Sequence, residues 1–401
     1  MSTCLEALRV IDVTQVMAGP FCAMLLADLG ADVIKVEPPG GDSTRRWTGR
    51  VGDESPSFNA VNRGKRSIVV DLKTAAGRDV LVRLARSADI LIENYRPGVM
   101  AGFGAAYEDL AAVNPRLVYA SISGYGQTGP HSRKGGFDLI AQGVSGIMSV
   151  TGEPGGPPVK AGVPLTDLGA GLFALAGILA AIECRHRTGR GQRVDTSLVE
   201  AGVALSVWEA TEYFSGAGIP APMGSAHRMN APYQAIRCAD GYITLGAANQ
   251  RIFVRLCDVL GHPEWAAAPE FADDANRVKN QTALAGQIES ITATKPRAHW
   301  LARFDASDIP CGAIQNYAEV FVDPQIVARE MAVDVDHPVL GPIRALGSPI
   351  KLSATPIDAR RRAPLLGEHT EAVLAEAGFT AAEIVSLRNA GAVHTNAPEA
   401  R

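Results

Sequence analysis

Short apolar runs alternating with helix-patterned segments constrain this chain more than any other feature. Leu8-Arg9-Val10-Ile11-Asp12-Val13 has the make-up of a buried strand. Ala18-Gly19-Pro20 then opens a helix, with the proline in the first turn, where a missing N–H costs nothing. Phe21, Leu25, Leu26 and Leu29 recur at helical spacing, and Asp32–Glu37 reads as a second buried strand. A second unit follows as strand Ser67–Asp71, helix 75–86 and strand Ile90–Ile92. A helix over 106–112 and a strand over Leu117–Ile122 complete the series. This alternation predicts an α/β fold built on a Rossmann-like parallel sheet.

Residues 124–166 are rich in Gly and Pro and read as a long functional loop. A helix over 168–184 follows and stops at the basic, glycine-rich Arg185–Gln192. A strand over Arg193–Thr196 and an Ala-rich helix over 198–214 come next. Composition then shifts at Ser215–Pro232, a linker and loop. Residues 233–320 look like a smaller α/β unit, with Asp240-Gly241 as a hairpin turn and helices over 249–260, 283–293 and from Arg297. A chain of 401 residues exceeds one ordinary domain, which agrees with two.

The bulk numbers remove several function classes. A net charge of −4 gives no global basic field, so no nucleic-acid partner is expected. The six cysteines are scattered without C-x-x-C and read as reduced, cytoplasmic thiols. No H-x-x-x-H or Cys/His cluster supports a metal site. No secretory signal pattern is visible at the N-terminus. The longest apolar run, 168–182, falls short of the ~20 residues a span needs, so it reads as a buried helix and no membrane partner is expected. The turn Gln15–Pro20 lacks G-x-G-x-x-G, which argues against a dinucleotide.

Two stretches carry candidate chemistry. In Val163-Pro164-Leu165-Thr166-Asp167-Leu168-Gly169-Ala170-Gly171 one carboxylate sits where an extended approach meets a long apolar helix. Backbone N–H groups of a first helical turn can hold such a carboxylate ionised, and the small residues would let another molecule reach its oxygens. A nucleophile has this layout, and so does a plain helix N-cap. The second stretch is Asn62-Arg63-Gly64-Lys65-Arg66, which with Lys35, Arg45, Arg46 and Arg96 offers cations to a polyanionic ligand. A solvated basic edge strand has the same composition. His227, in Met223-Gly224-Ser225-Ala226-His227, lies in a candidate lid.

Several long motifs in order identify a family. They are Ala18-Gly19-Pro20, Leu29–Glu37, Asn62–Ile68, Glu93-Asn94-Tyr95-Arg96-Pro97-Gly98, Gly124-Tyr125-Gly126 and Gly135-Gly136-Phe137-Asp138. Thr188–Gln192 and Pro364–Thr370 complete the set. Along essentially its whole length the chain resembles the class III CoA-transferases of the CaiB/BaiF group. The segments Gly124–Pro130, Thr166–Asp167, Gly224–His227 and Pro232–Ala235 look closer to the succinyl-CoA:glutarate and related dicarboxylate members than to formyl-CoA transferase.

The resemblance implies that Asp167 is the nucleophile, acting through an aspartyl anhydride and an aspartyl-CoA thioester, with no cofactor beyond the CoA thioester substrate. It implies CoA contacts at Val16, Ala18, Val70, Lys73, Asn94 and Arg96. Met17, Arg46, Phe137, Asp138, Gly224 and His227 fall at substrate positions, and Arg45, Arg46 and His227 are candidates for a distal carboxylate. Met17 stands where formyl-CoA transferase has a glutamine, and Pro38 and Gly102 stand where it has arginines near CoA. The expectation is therefore succinyl-CoA as donor and a dicarboxylate as acceptor. A related racemase would need a histidine at Phe137 for proton exchange. A CoA-binding protein without activity would not need Asp167. The family also implies an interlocked homodimer. Its large domain would span 1–214 plus 331–401 and its inserted small domain 222–320, with linkers 215–221 and 321–330.

Overall fold

The computed structural model describes residues 3–47, 49 and 54–395. Contacts divide the chain into two units. One comprises Met1–Met148, Lys160–Ala217 and Pro324–Arg401; the other comprises Ser149–Val159 and Gly218–Asp323. Ser149–Val159, part of the long Gly/Pro-rich stretch, therefore goes with the smaller unit, and the return to the larger one comes at Pro324 rather than Met331.

The larger unit begins β1 (Arg9–Asp12), α1 (Ala18–Asp28), β2 (Asp32–Glu37), α2 (Pro56–Asn62), β3 (Arg66–Val70), α3 (Ala75–Ala85) and β4 (Ile90–Glu93). It continues α4 (Val99–Gly102), α5 (Tyr107–Val113), β5 (Val118–Ser123) and α6 (Asp138–Val144); the short α7 (Ile147–Val150) begins in this unit and ends in the other. Next are α8 (Leu165–Thr188), β6 (Arg193–Ser197), α9 (Leu198–Leu205) and α10 (Val207–Phe214). The six strands are parallel in the order β3-β2-β1-β4-β5-β6. The order reverses between β1 and β4.

The strands read as continuous apolar runs because both sheet faces are covered. Val10, Val33, Ile90 and Ile92 point to the face carrying α1 and α8. Ile11, Ile34, Ile68 and Leu91 point to the other, against Val80, Leu81 and Leu84 of α3. Each such side chain contributes about 1.5–3 kcal/mol on burial. Helix α8 runs 24 residues, longer than its apolar core implied, and is long and apolar enough to cross a membrane by length and composition. Half of its apolar stretch is buried, with Ala170, Ala174, Ile178 and Ile182 against the sheet. Gly189, at φ +72°, ends it after Arg185, His186 and Arg187.

The smaller unit carries β7 (Tyr233–Cys238), β8 (Gly241–Gly246), α11 (Gln250–Leu260), α12 (Asp274–Lys279), α13 (Gln281–Thr292), α14 (Arg297–Asp305), β9 (Cys311–Ala313) and α15 (Tyr317–Val320). Its three strands are antiparallel. Cys238 pairs with Gly241, so the turn is Ala239-Asp240 and lies one residue earlier than Asp240-Gly241 predicts. Back in the larger unit are α16 (Pro324–Ala328), the hairpin β10 (Ala332–His337) and β11 (Gly341–Leu346), α17 (Thr370–Glu376), α18 (Ala381–Asn389) and β12 (Val393–His394). Strand β12 adds antiparallel to the β3 edge, and at two residues it is too short to leave a sequence pattern.

Two further differences have local causes. The stretch 124–166 is not all loop: Ala141 and Gln142 of α6 are buried there. The helix expected over 198–214 breaks at Ser206, whose ψ of +44° is non-helical.

Candidate active site

Ligands bind open parallel sheets outside the carboxyl ends of the strands, where the strand order reverses. Here a cavity of about 450 Å³ opens at that place. Gln15–Ala18 after β1, Asn94–Arg96 after β4 and Ile122–Gly124 at the end of β5 line it. Gly136, Phe137, Asp167 and Leu198 close it. Asp167 is the one carboxylate among these lining residues and Arg96 the one cation. Two loops cross tightly at the rim. A Cβ on Gly124 would lie 2.7 Å from the Gly136 Cα, so neither position takes a side chain.

Asp167 is the third residue of α8 rather than its N-cap, a place held by Pro164. Its carboxylate is half-buried. Burial first, and the nearby Asp138 second, push its pKa up to about 7. The expectation that backbone N–H groups keep it ionised is therefore corrected. The small residues after it do not clear a path to its oxygens either. A Cβ on Gly169 would lie 3.0 Å from Leu205 Cδ1, and one on Gly171 would lie 2.8 Å from the Ala18 carbonyl oxygen. Their smallness lets α8 close on α9 and α1.

Asp138 is fully engaged. Its Oδ1 accepts from Thr166 N at 3.0 Å and Thr166 Oγ1 at 2.8 Å, and its Oδ2 accepts from Gln142 Nε2 at 2.7 Å. It thus caps α8 from α6 and is not among the cavity-lining residues. Expected at a substrate position, Asp138 spends both oxygens on these bonds, and its charge disfavours ionisation of Asp167.

The other expected positions divide. Val16, Met17, Ala18, Asn94, Arg96 and Phe137 line the cavity. The Asn94 amide is already committed: Oδ1 accepts from Gln15 N at 2.8 Å, and Nδ2 donates to Gln15 O at 2.7 Å. Val70 is a core residue paired with Val393, and its side chain offers a ligand nothing. Lys73 is exposed after β3 and Arg46 is exposed, donating to Gly40 O; neither is among the lining residues. Gly224 and His227 belong to the smaller unit. There the His227 Nδ1 accepts from Met229 N at 3.1 Å, and its ring lies against Tyr233.

The basic segment is neither a phosphate clamp nor a solvated edge. Its cations pair internally. Arg63 forks onto Asp28 at 2.9 and 2.6 Å, and Arg66 onto Asp32 at 2.9 and 2.6 Å. Lys65 meets Asp12 at 2.8 Å with no exposed surface on either side chain. Arg45 binds Glu37 through two bonds of 2.8 Å, so it has no fork left for a distal carboxylate. Opposite charges placed by distant segments neutralise the cluster. Gln15, Tyr95, Ser123 and Leu198 line the cavity although no motif singles them out as site residues. The rule that sites gather at strand ends would have found the first three.

Comparison with known proteins gives the family. A family model described as CoA-transferase family III matches residues 5–370. The chain belongs to CoA-transferase family III. The mouse (Mus musculus) succinyl-CoA:glutarate CoA-transferase is 40% identical over 93% of this chain and 86% of its own. The acetyl-CoA:oxalate CoA-transferase of Acetobacter aceti is 41% identical over 87% of this chain and 89% of its own. The crystal structure of a CaiB/BaiF family protein from Brucella suis superposes with a TM-score of 0.84. It is 39% identical and covers 94% of this chain and all of its own. The protein is therefore a class III CoA-transferase, which agrees with the resemblance read from the motifs. The strand order is also the one that dinucleotide-binding folds use.

Proposed function

We propose that this transferase moves CoA from succinyl-CoA to a dicarboxylic acid through covalent intermediates on Asp167. The carrying observation is that, among the described residues, Asp167 is the single carboxylate lining the cavity at the strand-order reversal. Its carboxylate attacks the donor thioester carbonyl and expels CoA thiolate, forming a mixed anhydride. The thiolate attacks the aspartyl carbonyl, releasing succinate and leaving an aspartyl-CoA thioester. The acceptor carboxylate attacks that thioester, expelling the thiolate and forming a second anhydride. Attack of the thiolate on the acceptor acyl carbon yields the new acyl-CoA and restores Asp167.

Met17 caps α1 and Ala18 begins it, and both line the cavity. Their N–H groups precede the first intrahelical bond, which runs from Phe21 N to Met17 O. In this reading they receive the oxyanion of each tetrahedral state. Arg96 is the cation available to a CoA phosphate or to the acid. The relatives named for glutarate and for oxalate both act on dicarboxylates, which supports that acceptor class; their donors differ, and the closer local motifs favour succinyl-CoA.

We also propose an interlocked homodimer. Helices α6, α8, α9 and α10 leave Leu139, Ile140, Val144, Leu172, Phe173, Val203, Leu205, Val207, Tyr213 and Phe214 exposed. An apolar face this rich is rare on a monomer.

The test incubates the protein with succinyl-CoA and a panel of dicarboxylic and monocarboxylic acids, followed by liquid chromatography and mass spectrometry. New acyl-CoA products, together with a CoA adduct on the Asp167 peptide, are expected. Asp167→Asn should lower transfer at least about a thousandfold. Turnover by that variant within tenfold of wild type would remove the mechanism.

A further inference from the structure

The turn between β1 and α1 passes through a conformation that valine rarely takes. Val16 has φ +72°, where a β-branched side chain crowds its own backbone. Asp308 and Glu330 are the other described non-glycine residues with positive φ, and neither lines the cavity. Such a conformation persists only where the surroundings over-determine it.

Three consecutive residues here are each tethered by a buried or half-buried side chain. The Thr14 carbonyl accepts from Lys35 Nζ at 2.9 Å. Gln15 is held at both its N–H and its C=O by Asn94. The Val16 N–H points at the Asp42 carboxylate, 3.4 and 3.3 Å from its two oxygens. Asp42 is itself fixed. Its Oδ2 lies 3.1 Å from Lys35 Nζ, its Oδ1 accepts from Thr44 N and Thr44 Oγ1, and its own N–H donates to Glu37. Neither Asp42 nor Lys35 has any exposed side-chain surface. A buried ion pair of this kind is a poor source of net stability, because desolvating both charges offsets their attraction. What it supplies is fixed geometry.

We propose that Asp42, with Lys35 as its counter-ion, is a positioning residue that imposes the left-handed turn at Val16 and so aims the start of α1 into the cavity. The residues it acts through, Val16, Met17 and Ala18, line that cavity; Asp42 does not. Without the tether Val16 relaxes to negative φ, and the free N–H groups of Met17 and Ala18 turn away from the reacting carbonyl. The activity arm of this inference rests on the transfer reading above. The amide-exchange arm does not.

The experiment pairs Asp42→Asn with Val16→Gly. The amide that Asp42→Asn introduces sets a donor against the Val16 N–H or against Thr44, whichever way it turns. Hydrogen exchange at the Val16 amide should quicken about tenfold or more in the folded variant. The kcat should fall about 10- to 100-fold while KM for the acyl-CoA moves less than about threefold, as displaced oxyanion donors require. Glycine takes φ +72° unforced, so in a Val16→Gly background Asp42→Asn should cost less than about threefold, whereas in a Val16→Ala background the full loss should remain.

Lys35→Met/Asp42→Asn removes both buried charges and repeats the cycle without an unpaired ion. Independent, multiplying losses, or unchanged exchange at Val16, would overturn the proposal. So would the failure of both backgrounds to fold even with Val16→Gly, since the pair would then be a structural support alone. If the wild-type protein transfers nothing from succinyl-CoA, the substrate reading falls and the exchange arm still decides the tether.

Discussion

Asp167, the proposed nucleophile, sits in an environment that disfavours its charge. Burial and the Asp138 carboxylate raise its pKa from 3.8 to about 7, so the acid form dominates below neutrality. The nucleophile must be ionised. Hence kcat/KM should fall as pH drops below about 7, approaching tenfold per unit, and level off above it. Asp138→Asn removes one of the two causes and should move that acid limb to lower pH, read from a pH–rate profile. An unmoved limb would show that burial alone sets the value. The same shift has a stability consequence of opposite sense to a salt-bridged aspartate. The folded state binds the proton more tightly than the unfolded chain, so its stability falls as pH rises from about 4 to about 7. Asp167→Asn, which cannot titrate, should therefore melt higher than wild type at about pH 8, with the gap closing toward about pH 4 in thermal scans. Asp167 stood out in the sequence as a carboxylate among apolar residues at a helix start, but that pattern alone left nucleophile and N-cap open, and the family resemblance supplied the choice. Its pKa was not legible there, because Asp138 approaches from 29 positions away through contacts no local pattern encodes.

At the scale of elements, helix ends and buried charges place the cavity. Helices α1 and α8 close on one another at Gly171, where a Cβ would meet the Ala18 carbonyl at 2.8 Å and Phe21 Cδ1 at 3.0 Å. Gly171→Ala should cost about 1–3 kcal/mol by overpacking, measured by chemical denaturation. Because the displaced atoms belong to the first turn of α1, it should lower kcat as well. Under the same turn, Lys65 Nζ is held by Asp12, Asn62 and the Pro20 carbonyl. Lys65→Met would strip the buried Asp12 of its ion-pair partner and should destabilise the fold by about 3–5 kcal/mol in denaturant titrations. The strands were readable because both faces are covered, which leaves an unbroken apolar run whatever the register. The destination of the cations was not. Arg63, Lys65 and Arg66 are close in sequence, but their partners Asp28, Asp12 and Asp32 come from other elements. Only the folded sheet reveals that the charges cancel.

For the whole molecule, the proposed homodimer makes the apolar face of α6, α8, α9 and α10 a subunit contact. Val207→Asp/Phe214→Asp, changing two side chains that are 62% and 79% exposed, should shift sedimentation toward the monomer and reduce activity with it. Unchanged sedimentation would place the contact elsewhere. At this scale the sequence determined the alternation of strands and helices, hence a parallel sheet, and the motif order that marks the family. These follow from periodicity and local turn chemistry, which are properties of neighbours along the chain. Tertiary structure alone decided which strand ends meet at the reversal, that the basic segment is internally neutralised, and that Asp167 faces the cavity with its charge disfavoured. It also decided that Val16 is held left-handed by a lysine–aspartate pair that no sequence period records. Each of these depends on atoms brought together from distant parts of the chain, and their energies come from burial and from the charges that burial leaves close together.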